Sequence, residues 1–111
     1  MSKEIKTYFE DILFSILRIE FHLYNIQTLN EFKNNFTVYD AVERRLAIIG
    51  EALCKINKID PENNITERRK IIGLRHILTH DYDLVSPDII WQILKNNLPL
   101  LKKEVVGYLI K

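Results

Sequence analysis

The stretch "DAVERRLAIIGEALCKI", Asp40 to Ile56, decides the fold. Its apolar residues Val42, Leu46, Ile49, Leu53 and Ile56 recur every three or four positions, with Val38 one turn upstream, so they share one stripe of a long helix. The spacing predicts that this helix starts near Thr37. Gly50 interrupts it, where glycine costs about 1 kcal/mol relative to alanine. Close approach of a second helix backbone at Gly50 would offset that cost.

The same period governs the chain on either side. From Ile5, the series Tyr8, Ile12, Ile16, Ile19, Leu23 and Ile26 predicts another long helix. Thr28 and Glu31 form a T-x-x-E capping box, so "TLNEFKNN" reads as a short separate turn of helix. "NKIDPENN" is a loop with Pro61 as breaker. Asn64 and Glu67 can box the start of a helix through "TERRKIIGLRHILT". Ser86 followed by Pro87 is an N-cap with proline at the first helical position. The helix it starts carries Ile93, Leu94 and Leu98, and Pro99 then kinks it or splits off a further helix. No segment alternates as a strand does. The expectation is all-α: an antiparallel up-and-down bundle of four or five helices, in a single domain spanning 1–111.

Composition narrows the function. The chain has 111 residues, three glycines, three prolines and a net charge of +1, the profile of an ordinary globular domain. So small a net charge gives no global case for nucleic acid, and any such case must be local. A lone cysteine, Cys54, excludes an internal disulfide, fits a reducing compartment and reads as a small core residue. No apolar run approaches the roughly 18 residues of a membrane span. "MSKEIKTYFEDIL" places acids where a signal peptide would be apolar, so the expected location is cytoplasmic.

The chemistry concentrates in "IIGLRHILTHDYDLVSPD", Ile71 to Asp88, where Arg75, His76, His80 and Tyr82 fall within eight positions. On an unbroken helix Arg75 and His80 stand roughly 140° apart around the axis. If the helix unwinds near Thr79, as the polar "HDYD" suggests, both can converge on one pocket. A guanidinium binds phosphate oxygens bidentately and stays charged at any working pH. An imidazole, with an ordinary pKa of about 6.5, can take a proton from an RNA 2′-hydroxyl or give one to a leaving oxygen. One histidine cannot readily serve both sides of one phosphorus, and a two-fold dimer supplies the second. Structural roles compete: Arg75 as the partner of a carboxylate, His80 as a helix C-terminal cation, Tyr82 as a core aromatic. His76 and His80 have a metal-ligand spacing, but there is no H-E-x-x-H glutamate and no third ligand nearby, so no metal is expected.

"LRHILTHDY" fits R-x-x-x-x-H-x-Y, and "AVERRLAIIGEA" lies one helix earlier. Together with "RKIIGLRHILTHDY" and "DIIWQILKNNLPLLKKEV", these blocks resemble the HepT-like branch of the HEPN superfamily over nearly the whole chain. The resemblance implies a metal-independent ribonuclease toxin of a type VII toxin–antitoxin pair, acting as a homodimer without cofactor. Arg75 and His80 would be catalytic, cleaving RNA by internal transesterification. Tyr82 would be the residue a nucleotidyltransferase antitoxin modifies with AMP. The alternative is a non-catalytic helical binding subunit of a nucleotidyltransferase complex.

The sequence departs from the family pattern in places. His76 stands where many relatives have asparagine directly after the motif arginine, and keeps a supporting role at phosphate or beside His80. Arg68 stands where tryptophan is common; with Arg69 and Lys70 it forms the most basic stretch, a candidate path for an RNA backbone or simply a solvated helix start. Glu51 is a candidate partner of Arg75 or His80, or else an exposed carboxylate. Arg44 and Arg45 are expected in surface or dimer-rim ion pairs. Asp81 and Asp83 flank the tyrosine, so their charge could weaken RNA binding or raise the His80 pKa.

Overall fold

A computed structural model describes residues 1–80 and 86–110, with the backbone alone at Ile77, Thr79 and His80. Six helices and no strand occur among the described residues: α1 (Lys3–His22), α2 (Leu29–Lys33), α3 (Phe36–Ile59), α4 (Arg68–His80), α5 (Pro87–Asn96) and α6 (Leu98–Leu109). This is the all-helical bundle expected. The short "TLNEFKNN" turn is a helix of its own, and Pro99 opens a separate α6 rather than kinking α5.

Local chemistry explains the boundaries. Thr28 Oγ1 accepts from the Glu31 amide at 3.1 Å, and the Glu31 carboxylate reaches back to the Gln27 N–H at 3.2 Å, one residue before the usual box partner. Ser86 Oγ accepts from the Ile89 amide at 3.3 Å with Pro87 in the first turn. Ser2 and Asn35 cap α1 and α3 in the same way. α1 stops at His22, four residues short of the expected Ile26, although Ile26 still packs on the core. α4 begins at Arg68, a turn later than an Asn64 cap would start it. The Asn64 N–H instead donates to Tyr108 Oη at 2.8 Å, and Thr66 donates to the Glu104 carboxylate from its amide and its hydroxyl, at 3.1 and 2.8 Å.

α3 is the central element, packed against α1 on one side and α4 on the other. Its expected stripe is buried from Val42 to Ile56, with Val38 only half-buried, and Ala52 joins it; Cys54 is half-buried too. Aromatic contacts fix directions. Tyr8 meets Lys55 and Phe14 meets Arg45, so α1 and α3 run antiparallel. Phe9 stacks on Tyr108 at 4.6 Å while Glu20 pairs with Lys102 at 3.0 Å, so α1 and α6 are antiparallel too. Phe32 contacts both Tyr39 and Trp91, seating α2 between α3 and α5. No helix among the described residues is long and apolar enough to cross a membrane.

Candidate active site

Gly50 determines how α3 and α4 meet. A Cβ built there would overlap Arg75 Cβ, lie 2.8 Å from Arg75 Cγ and come within 3.2 Å of the Ile71 carbonyl oxygen. Only a residue without a side chain lets α4 come this close, which is the approach its cost in the helix demanded. Ile71 and Leu74 anchor the inner face of α4, and Arg75 sits at the edge of that face against Gly50.

The Arg75 guanidinium pairs with Glu51, one residue beyond the glycine, so the carboxylate partnership that competed with a catalytic role for Arg75 is present. Of the readings open for Glu51, partnership with Arg75 is realised. Arg75 is 28% and Glu51 43% exposed in their side chains, so water and an incoming anion reach both. The pair borders a cavity of about 370 Å³ between α1, α3 and α4, lined by Tyr8, Asp11, Arg44, Ile48 and Lys55 among others. Lys55 Nζ lies 3.9 Å from Glu51, which thus has cations on two sides.

The remaining candidates divide. α4 stays helical through His80, so the loosening expected at Thr79 is absent and positions 75 and 80 lie roughly 140° apart about the axis. His76 is exposed on α4. Tyr82, with Asp81 and Asp83, lies outside the described residues. Arg68 donates to the Asn63 carbonyl and to Asn63 Oδ1, so it ties down the preceding loop; Arg69 and Lys70 are exposed. Arg45 makes a ring contact, its guanidinium 5.3 Å from the centre of Phe14. Among the described residues no group of histidine, cysteine or acidic side chains could hold a metal ion.

Asn63 escaped the sequence reading. It is 6% exposed, and its amide donates to Asn57 Oδ1 and the Asp60 carbonyl, at 2.9 and 2.8 Å. Its oxygen accepts from the Ile65 N–H and from Arg68. One side chain thus folds the loop that delivers α4 to Gly50.

The family described as "Ribonuclease HepT-like" matches residues 12–106, and the chain belongs to it. The enzyme class that goes with this membership is endoribonuclease. The chain is 38% identical to "Putative RNase MJ1380" of Methanocaldococcus jannaschii, over 95% of this chain and 97% of that one. It is 33% identical to "Putative RNase MJ1216" of the same organism, over 92% and 84%. It also resembles "Gamma-glutamylcyclotransferase and putative RNase MJ0434" at 32% identity, over 96% of this chain but 48% of that protein. No solved structure matches the chain.

Proposed function

We propose that the chain is the toxin of a toxin–antitoxin pair, a metal-independent endoribonuclease acting as a homodimer with Arg75 and His80 as its catalytic residues. The observation that carries this reading is the placement of Arg75. Its base is fixed against Gly50 and its guanidinium is held by Glu51 at the mouth of a cavity. A partly exposed ion pair is weak, so a phosphate can displace the carboxylate without a large cost. Glu51 keeps the guanidinium extended until RNA arrives.

In the reaction, the RNA 2′-oxygen attacks the adjacent phosphorus and the bond from phosphorus to the 5′-oxygen breaks. An imidazole takes the 2′-hydroxyl proton and an imidazolium returns one to the leaving 5′-oxygen. The products are a cyclic phosphate and a 5′-hydroxyl. Arg75 stabilises the charge that grows on the phosphoryl oxygens. The roughly 140° between positions 75 and 80 favours a site assembled across two subunits over one completed within a single helix. Arg69 shares an exposed face of α4 with His76 and stands beside Lys70, which gives RNA a second basic surface away from Arg75. AMP added to Tyr82 by a nucleotidyltransferase antitoxin would set an anion two positions from His80 and compete with RNA.

Induced expression of the natural chain, Arg75→Ala and His80→Ala tests the reading. Growth arrest and RNA cleavage by the natural chain alone are expected. Equal cleavage by all three refutes the assignment of Arg75 and His80, and no cleavage by any of the three favours the binding-subunit alternative. After co-expression with the nucleotidyltransferase, intact mass should rise by one or more AMP units on Tyr82; a different modified residue refutes that part.

A further inference from the structure

Two aromatic rings that carry cations flank Arg75 along the seam between α1 and α3. On one side the Lys55 ammonium lies 5.6 Å from the centre of the Tyr8 ring. On the other, Phe14 carries two guanidinium groups, Arg18 at 5.0 Å and Arg45 at 5.3 Å. Phe14 is 50% exposed although it is a large apolar ring. Between the two rings lies the Glu51–Arg75 contact, which lines the cavity already described together with Arg44. With the helical rise of 1.5 Å per residue, Arg45 lies about 9 Å along α3 from Glu51, and Lys55 about 6 Å on the other side. The seam thus spans about 15 Å, the reach of roughly two to four nucleotides of a single strand.

We infer that this seam binds single-stranded RNA: the Arg18 and Arg45 guanidinium groups leave the Phe14 ring for phosphates, a base stacks on the ring in their place, and Arg44 is a further backbone contact beside Arg75. The inference rests on the ribonuclease reading and adds to it where the strand lies. Exposed rings interleaved with cations are what sequence-tolerant single-strand binding uses, since every base has a face to stack and every linkage a charge to pair. The charges fit a polyanion: the seam's arginines and lysine outnumber Asp11 and Glu51. A protein partner covering Phe14 would have to desolvate Arg18 and Arg45 as well, whereas RNA leaves both paired with phosphates.

The test uses the full chain and a fluorescent 2′-O-methyl octauridine, which has no free 2′-hydroxyl and is not cleaved. Phe14→Ala should weaken its binding roughly 5- to 150-fold, the range of one lost base–aromatic stack, while Phe14→Trp retains affinity. Arg44→Ala and Arg45→Ala should each flatten the dependence of log affinity on log salt by about 0.7. Phe14 and Arg44 are exposed and Arg45 is half-buried, and circular dichroism checks that each variant is folded. If the natural chain binds the probe and the Phe14 and Arg45 variants bind equally well, the seam inference is wrong and the ribonuclease reading stands. If the natural chain neither binds the probe nor cleaves RNA, both fall. If Phe14→Ala changes the sedimentation coefficient but leaves affinity unchanged, the ring is a protein contact and the inference is overturned.

Discussion

Gly50→Ala puts two opposing effects at one position. In an exposed helix the change would stabilise by about 1 kcal/mol, because alanine is the better helix former. Here the new methyl overlaps Arg75 Cβ, lies 2.8 Å from Cγ and sits 3.2 Å from the Ile71 carbonyl oxygen. Arg75 Cγ can rotate away, but Cβ is fixed to the backbone and moves only with α4. Forcing such a shift typically costs 1–3 kcal/mol, so the net effect is a loss of about 0–2 kcal/mol. For a domain near 100 residues, 1 kcal/mol moves Tm by roughly 4–8 °C, within reach of calorimetry. Moving α4 also carries the guanidinium away from Glu51, so RNA cleavage should fall about tenfold or more, in keeping with the sensitivity of catalysis to sub-ångström placement. A variant with Tm raised by the full propensity gain and unaltered cleavage would refute the close approach and the positioning argument built on it.

Two further changes probe other parts of the scaffold. Asn63→Ala removes four hydrogen bonds at a buried position and strands the Ile65 N–H, so it should cost about 2–3 kcal/mol, seen as a lower urea midpoint at unchanged slope. A loss below roughly 0.5 kcal/mol would show that the loop does not depend on it. Burial raises the Glu43 carboxyl above its ordinary range, despite the Tyr39 hydroxyl it accepts from; burial and the Glu43 charge push the Tyr39 phenol up to about 12. A raised folded-state pKa means that stability from Glu43 is full below the unfolded value and lost as pH climbs through the folded one. Glu43→Gln, which keeps an acceptor for Tyr39, should therefore gain on the natural chain between pH 4 and pH 7. A difference in urea midpoint that is independent of pH would contradict this.

Where the chain's own period or a cap chemistry sets an element, the sequence was readable. The α3 stripe, the Thr28 and Ser86 caps and the need for a close neighbour at Gly50 all belong to this group. The predicted unwinding at Thr79 failed for a physical reason. Histidine and threonine are only mildly poor helix formers, and no glycine or proline follows until Pro87, so nothing forces the backbone out before His80. Asn63 was invisible because a buried amide in a polar loop looks like any turn residue until its partners are known. Glu51 was only a candidate, since helix packing rather than spacing decides which carboxylate meets Arg75. The contact of Arg45 with the Phe14 ring was hidden for the same reason, since Phe14 is on another helix.

Tyr108 reaches from α6 to the Asn64 amide while its ring lies on Phe9, and Glu104 holds Thr66 a turn away. These contacts hang α4 like a door, pinned to α6 just before its first turn and pressed along its length to α3. The hinge of the arginine-bearing helix is thus supplied by residues 44 and 38 positions further along the chain than the backbone they hold.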